Sequence, residues 1–261
     1  MPFFVVYSLK ILFREVFFMF QFFEDHYELT DLGYYAAIFI MVIAIAAAAV
    51  IIARKQKKSK LTAKTLAVAG ISLALAFITS YIKVELPMGG SVTLFSMFFI
   101  CFVGYLYGVN VGFLTAFAYS LLQFIQSGGA YFLSPFQLCC DYFFAFTALG
   151  ITGFWYNRRS GRVIGTWKID DEGKENITYH KIDQLVVGYI AACLIRGLFH
   201  TIGGYLYWMD YMPETFPKGL ASLYSVIYNY SYILGEMIIT LIVINLPPVK
   251  KALLRIKQQV A

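Results

Sequence analysis

Apolar runs of roughly 17–25 residues recur along this chain, and each is long enough to cross about 30 Å of hydrocarbon as an α-helix. The runs are continuous rather than alternating, and in lipid only helices and closed barrels satisfy their backbone hydrogen bonds. Apolar residues make up 60% of the 261 residues and charged residues only 14%, too little charge to cover a soluble domain. The sequence therefore predicts an all-α, polytopic membrane protein.

Six of these runs predict a helical bundle, and three basic clusters orient it in the membrane. The spans are predicted near residues 63–83, 92–107, 110–127, 134–155, 183–207 and 221–246. Lys and Arg concentrate at 54–64, 158–181 and 250–257, and alternation of the spans puts all three clusters on the cytoplasmic side, as the positive-inside rule requires. Topology therefore accounts for the net charge of +6, and no basic groove indicates nucleic-acid binding.

The chain divides into three parts by composition. Residues 61–261 hold the six predicted spans, and residues 34–60 hold an additional transmembrane helix followed by a basic linker. Residues 1–33 form an N-terminal segment with several open interpretations: an interfacial helix, a poor signal sequence, or an upstream start-codon artefact with Met19 as the true start. Between the fourth and fifth spans, residues 163–181 predict a short hairpin around an Asp-Glu-Gly-Lys turn.

Ionisable side chains inside membrane spans are costly to bury, and each is therefore a candidate for function. Asp141 in the fourth span and His200 in the fifth lie at one depth, in the outer half of the predicted bundle. Tyr224 and Asn229 of the sixth span reach the same depth. The cysteines and phenylalanines beside Asp141 offer no local partner, so this carboxylate calls for a cation. Aromatic surroundings favour a delocalised one.

Several of these residues also have purely structural interpretations. Trp208 is typical of an interfacial aromatic belt, and His200 is equally typical of a hydrogen-bonded core histidine. Glu236 lies deeper in the predicted membrane than the other polar groups, and a structural ion pair with Arg196 is its expected role. The sequence alone leaves these alternatives open.

Small residues and cysteines complete the set of candidate positions. Gly70 and Ala74 form a small-xxx-small pair in the first span, a pattern that allows close packing against a partner subunit or against another span. The cysteines lie inside apolar segments without metal-ligand spacing, which predicts packing roles and no metal site. They are Cys101, Cys139, Cys140 and Cys193.

Short motifs follow one another in a fixed order over residues 62–253. They occupy residues 87–94, 107–108, 121–123, 134–137, 141–146, 224–229 and 247–251. In order and spacing, these motifs resemble the thiamine-specific substrate-binding (S) subunits of energy-coupling factor vitamin transporters. The resemblance implies a six-helix S-component bundle, to which the helix at residues 34–60 is an addition.

The resemblance also implies a function and a set of residues. The subunit would bind thiamine from outside, without catalysis or cofactor, and pass it inward with a transmembrane coupling protein and two cytoplasmic ATPase subunits in a bacterial plasma membrane. Gly70 and Ala74 are then candidates for docking the coupling protein. The implied ligand-binding residues are Tyr131, Asp141, Tyr142, His200, Trp208, Tyr224 and Asn229.

Some positions depart from the family pattern. The acid is Asp141 where some relatives have Glu, Phe143 replaces a usual Pro, and a tryptophan of the first outer loop is absent between residues 83 and 92. An S-component for another vitamin or for a thiamine precursor is therefore a second hypothesis. A third is an intramembrane enzyme using Asp141 and His200, although the sequence has no HExxH motif, paired aspartates or nucleophile elbow.

Overall fold

The computed structural model describes residues 20–23, 26–29, 61–128, 133–156, 165–169, 175–179 and 184–260. Its helices are α1 (Ala63–Thr79), α2 (Ser96–Tyr107), α3 (Val109–Gln126), α4 (Pro135–Trp155), α5 (Gln184–Tyr207), α6 (Tyr224–Ile244) and α7 (Pro247–Val260). Its strands are β1 (Phe20–Phe23), β2 (His26–Leu29), β3 (Lys83–Glu85), β4 (Ser91–Thr93), β5 (Gly165–Ile169) and β6 (Glu175–Tyr179).

The helices fit the predicted all-α membrane fold. Within the described ranges, α3, α4, α5 and the helical segment Lys218–Ile244 are long and apolar enough to cross a membrane, while α1 and α2 are shorter apolar helices. The additional helix predicted at residues 34–60 lies outside the described residues. The strands pair in sequence order as three antiparallel hairpins, and β5–β6 confirms the predicted hairpin. At the N terminus, β1 and β2 form a hairpin where an interfacial helix had been one interpretation.

The first two spans are shorter than predicted because a hairpin separates them. α1 ends at Thr79, and β3 pairs with β4 in the register Val84↔Val92. Phe95 then adopts a left-handed φ of 62°, an uncommon conformation for a residue with a side chain, and α2 begins at Ser96. A short apolar run is compatible with either strand or helix, so the sequence pattern alone extends the second span over residues 92–95.

Glycines let three helices meet at backbone contact in the centre of the bundle. A Cβ on Gly112 of α3 would lie 2.8 Å from the Cα of Gly104 in α2. A Cβ on Gly150 of α4 would lie 2.6 Å from the Cα of Phe113. Small residues at such crossings allow the close approach on which helix association in lipid depends. The core therefore centres on α2 with α3, α4 and α5 around it.

α7 packs under one end of the bundle through a buried lysine. Leu253, Leu254 and Lys257 are its buried side chains. The Lys257 ammonium donates to the carbonyl of Tyr105 at 2.6 Å and to that of Leu106 at 3.4 Å, and both carbonyls belong to the last turn of α2. A cation at a helix C terminus stabilises the exposed carbonyls there. α7 therefore holds the end of α2 opposite the hairpin β3–β4.

Candidate functional site

A cavity of about 430 Å³ opens among the helices at the end of the bundle that carries the β3–β4 hairpin. Its wall includes Ser80, which follows α1, and residues from α3, α4, α5, α6 and the hairpin. Tyr131 lies outside the described residues. The other predicted ligand-binding residues all line the cavity: Asp141, Tyr142, His200, Trp208, Tyr224 and Asn229. Residues from three separate helices therefore converge as the depth argument predicted.

Asp141 lies on an irregular stretch of α4. Pro135–Leu138 is α-helical, with the Ser134 side chain capping its N terminus, and Cys139–Phe144 widens into a π-helical turn. Such turns inside α-helices are rare and occur often at functional sites. The wider turn carries both Asp141 and Tyr142. The ring of Tyr142 stacks on that of Phe146 with centroids 6.5 Å apart.

Three side chains surround the carboxylate of Asp141. Its Oδ2 accepts a hydrogen bond from Nε1 of Trp208 at 3.0 Å and another from Nε2 of Gln137 at 2.6 Å. Its Oδ1 lies 3.7 Å from Nδ1 of His200. Both strong donors therefore bind one oxygen, and they fix the plane of the carboxylate. The other oxygen is left beside an imidazole.

Gln137 is a site residue that the sequence argument missed. It is only 1% exposed, and its Oε1 accepts from the backbone N–H of Leu133 while its Nε2 donates to Asp141. Residues four apart on a helix face each other, so the spacing from Gln137 to Asp141 was a signal available in the sequence. Its amide is oriented by two partners and in turn orients the acid.

His200 lies between the carboxylate of Asp141 and the guanidinium of Arg196. Nε of Arg196 donates to Nε2 of His200 at 3.4 Å. Because a guanidinium has no acceptor, Nε2 must accept, and the proton of the neutral ring lies on Nδ1, facing Asp141. The guanidinium of Arg196 lies 4.3 Å from the ring centroid of Phe146. His200 is therefore oriented by Arg196 rather than simply packed.

Glu236 has a different partner from the one expected. Its carboxylate accepts from the backbone N–H of Met97 at 2.9 Å and from the hydroxyls of Thr93 and Ser96. Ser96 and Met97 lie in the first turn of α2, where the helix dipole favours a negative charge, and Thr93 ends the strand before it. The expected ion pair with Arg196 is not formed among the described residues. Glu236 instead joins α6 to the start of α2.

The α6 side of the cavity is a row of aromatic and amide groups. The rings of Tyr224 and Tyr228 stack with centroids 5.8 Å apart and planes inclined by 27°. Asn229 accepts from the hydroxyl of Tyr232 at 2.8 Å and donates to the carbonyl of Ser225 at 2.8 Å. The side chain of Asn229 is thus held in one orientation at the cavity wall.

Tyr228 also ties the hairpin to this wall. Its hydroxyl accepts from the backbone N–H of Gly90 at 2.9 Å and donates to the carbonyl of Pro87. A Cβ on Gly90 would lie 2.8 Å from that hydroxyl, so the glycine permits the approach. Tyr228 is therefore a cavity residue that was not among the predicted ligand-binding residues.

A pair of glycines on α5 makes room for side chains from both neighbouring helices. A Cβ on Gly203 would lie 2.6 Å from Oδ1 of Asp141 on α4. A Cβ on Gly204 would lie 2.1 Å from Oγ of Ser225 on α6. Asp141 and Ser225 can therefore approach α5 closely only because Gly203 and Gly204 have no side chains.

The predicted docking residues lie elsewhere on the molecule. Gly70 and Ala74 are exposed on α1, and a Cβ on Gly70 would meet no atom within 4 Å. Leu66, Ile71 and Ile78 are more than half exposed on the same helix, at 54%, 61% and 60%. This part of α1 therefore presents an open apolar surface with a shallow point at Gly70.

The cysteines are placed as the sequence predicted. Cys101, Cys140 and Cys193 are buried, Cys139 is half-buried, and all four are free thiols. Among the described residues, no group of His, Cys, Asp and Glu side chains has a geometry that holds a metal ion. Cys101 and Cys193 belong to the hydrophobic core of the bundle.

Comparisons with known proteins agree with the resemblance seen in the motifs. The sequence model of a family described as thiamine transporter protein (Thia_YuaJ) matches residues 66–256. The thiamine transporter ThiT of Bacillus subtilis (strain 168) is 29% identical over 192 residues, which cover 73% of this chain and 92% of that protein. A solved structure of ThiT from Listeria monocytogenes has a TM-score of 0.54 at 20% identity, over 75% of this chain and 96% of that one, and shows a shared fold.

Proposed function

Because the chain belongs to the thiamine transporter protein family, we propose that it is the membrane subunit that captures thiamine from outside the cell for ATP-driven uptake. Thiamine carries a permanent positive charge on its thiazolium ring, and the ring charge is delocalised. A site for it needs a fixed negative group and aromatic faces, in surroundings that exclude water.

The observation that carries this proposal is the position of Asp141 in an aromatic cavity. The carboxylate is oriented by Gln137 and Trp208, and the cavity wall carries aromatic side chains from α4, α5 and α6. The adjacent His200 accepts a hydrogen bond from Arg196 on Nε2 and turns its Nδ1 toward Asp141, at 3.7 Å from Oδ1. Asp141 therefore remains available as the counter-ion of a cationic ligand.

The other predicted residues take complementary roles around the same ligand. Trp208 and His200 supply flat surfaces, and Tyr142, Tyr224 and Asn229 hydrogen-bond polar edges of the ligand. Tyr131, which lies outside the described residues, belongs to this set on the strength of the family resemblance alone.

Uptake requires partners, because the sequence contains no phosphate-binding glycine loop of its own. The family resemblance supplies them: a transmembrane coupling protein and two cytoplasmic ATPase subunits in a bacterial plasma membrane. The exposed stretch of α1 around Gly70 and Ala74 is the surface that would dock the coupling protein. Its small residues would allow the close backbone contact typical of helix association in lipid.

Ligand identification in detergent tests the proposal. The purified protein is denatured and its released small molecules are identified by mass spectrometry, and the ligand-free protein is then titrated with thiamine by calorimetry. We expect thiamine to co-purify, to rebind with one site per chain and to be recovered unchanged. Recovery of another vitamin or of a thiamine precursor, or conversion of the ligand to a product, would support one of the alternative functions instead.

A further inference from the structure

The short central helix α2 has a buried charged side chain at each of its two ends. It contains 12 residues, which is about 18 Å at the rise of an α-helix, and every one of them except Phe99 is buried. Glu236 of α6 is 2% exposed and meets the first turn of α2, and Lys257 of α7 is 7% exposed and meets the last turn. Neither residue belongs to the described cavity wall, and the proposed function gives neither of them a role.

At the end next to the hairpin, Glu236 binds both the helix and the strand that leads into it. Its carboxylate accepts from the backbone N–H of Met97 at 2.9 Å, from the hydroxyl of Ser96 at 3.3 Å and from the hydroxyl of Thr93. A helix N terminus carries a partial positive charge, which favours a carboxylate there. Thr93 ends β4 and lines the cavity, so Glu236 connects the start of α2 with one edge of the cavity wall.

At the opposite end, Lys257 binds the carbonyl groups of the last turn of α2. Its ammonium donates to the carbonyls of Tyr105 and Leu106, and it lies 4.5 Å from the ring centroid of Tyr105 and 4.3 Å from that of Tyr156. A helix C terminus carries a partial negative charge, which favours a cation, and the two aromatic rings add attraction. Tyr156 directly follows α4, so the lysine also connects the ends of α2 and α4.

The two charges belong to one continuous segment of the chain. α6 ends at Ile244 and α7 begins at Pro247, so residues 236–257 follow α2 from its start and then turn under its end. Opposite charges therefore bind opposite ends of the same helix. Movement of α2 along its axis would lengthen one of these contacts, whichever direction the helix moved.

We propose that residues 236–257 form a charged clamp, called the α2 clamp here, in which Glu236 and Lys257 are positioning residues that together fix α2 along its axis. A helix is a rigid element, so a change at one end is carried to the other. Through Thr93, the position of α2 also sets the cavity wall. This consequence for the ligand rests on the proposed function, whereas the clamp itself does not.

A purely local role for the two charges makes a different prediction. Each side chain would then stabilise only its own helix end, and close backbone packing would hold α2 in place, as at Gly104, whose Cα would lie 2.8 Å from a Cβ on Gly112. Loss of one charge would loosen the nearest turn and leave the distant end unchanged. Amide exchange at the distant end is therefore the decisive measurement.

Hydrogen–deuterium exchange of the full chain in detergent, followed by mass spectrometry, tests the clamp. Lys257→Met removes the charge and keeps the length of the side chain. We expect faster exchange near Gly108 and also at Met97 and Phe99, at the other end of α2, by roughly two- to tenfold, the equivalent of one charge at a helix terminus. Glu236→Gln should have the reciprocal effect near Gly108. Faster exchange confined to the altered end in both variants would overturn the clamp.

Control variants separate the clamp from a general loss of charge or of fold. Lys251→Met removes a charge from α7 about 120° around the helix from Lys257, and it should leave the exchange of α2 unchanged. Lys257→Arg keeps the charge and should restore slow exchange at Met97. Ser96→Ala removes a single hydroxyl from Glu236, and it is the milder test of this end if Glu236→Gln does not fold.

The ligand provides a second, independent measurement. We expect thiamine to dissociate roughly two- to tenfold faster from Lys257→Met than from the unmodified protein, although Lys257 lies at the end of α2 opposite the hairpin. An unchanged dissociation rate would overturn the link between α2 and the cavity wall. If thiamine does not bind the unmodified protein, the proposed function fails, and the exchange pattern still decides whether the clamp exists.

Discussion

Nε1 of Trp208 and Oδ2 of Asp141 lie 3.0 Å apart although the two residues are 67 positions apart in the chain. The contact joins the end of α5 to the π-helical turn of α4. One indole thereby presents its ring at the cavity wall and orients the carboxylate with its N–H. The aromatic and the electrostatic features of the site are thus coupled through a single side chain.

The first prediction concerns the charge of Asp141. Asp141→Asn keeps the shape and removes the charge, and removal of one partner of a buried charge pair costs about 2–5 kcal/mol. We expect thiamine affinity to fall roughly 30-fold or more in titration calorimetry. Asp210→Asn, at an exposed acid in the turn after α5, is the control and should bind normally. An affinity of Asp141→Asn within about twofold of the unmodified protein would mean that Asp141 is not the counter-ion.

The second prediction separates the two functions of Trp208. Trp208→Phe removes the donor to Asp141 and keeps an aromatic face, whereas Trp208→Ala removes both. We expect both variants to bind thiamine more weakly and Trp208→Ala to lose more, by about 0.5–2 kcal/mol, the usual range for a cation on an aromatic face. Calorimetric titration of the two variants measures the difference. Equal affinities would show that the ring face of Trp208 does not contact the ligand.

The third prediction concerns the space that Gly203 leaves for Asp141. In Gly203→Ala the new methyl group would lie 2.6 Å from Oδ1, so the carboxylate must move. We expect thiamine affinity to drop while the helical circular dichroism signal is retained. Gly70→Ala is the matched control, because its methyl group meets no atom within 4 Å. Normal binding by Gly203→Ala would indicate that the position of Oδ1 does not matter to the ligand.

The fourth prediction concerns the exposed surface of α1. Replacement of Gly70 and Ala74 by Leu together adds bulk where a close helix contact is proposed. We expect uptake of thiamine by cells to be abolished, and binding by the isolated subunit to be unchanged because neither residue lines the cavity. Uptake is followed with labelled thiamine and binding by calorimetry. Loss of binding in the isolated subunit would place this surface in the packing of the bundle.

The fifth prediction concerns the buried lysine of α7. Burial lowers the pKa of the Lys257 ammonium to about 8, from its ordinary value of about 10.4. Between these two values the unfolded chain binds a proton that the folded chain has released, so the stability contributed by this group rises with pH there and is lowest below pH 8. We therefore expect the Tm of the unmodified protein in detergent to rise relative to that of Lys257→Met as pH increases from about 8 to about 10. Parallel profiles of Tm against pH for the two proteins would contradict this assignment.

Much of the architecture could be predicted without coordinates, because its physical cause is local. A helix that crosses lipid must be long, apolar and continuous, so the runs of the sequence predicted the α-helical membrane fold. Because an ionisable group is costly to bury in lipid, Asp141 and His200 could be identified as candidate functional residues. The rise per residue of a helix predicted that Tyr224 and Asn229 lie at the same depth as these two. All four residues line one cavity.

What the sequence did not reveal depends on how the helices rotate and pack against one another. Glu236 binds the start of α2 because the β3–β4 hairpin brings Thr93 and Met97 next to α6, and no local pattern predicts that arrangement. Asp141 lies on a π-helical turn of α4 and accepts from Trp208 at the end of α5, and no local pattern predicts either feature. Composition and periodicity predicted a polar site in a membrane bundle and the helix levels from which its residues come, because solvation in lipid acts on each helix separately. Only tertiary packing decided which donors reach which acceptors, because a hydrogen bond depends on ångström distances between helices that are far apart in the chain.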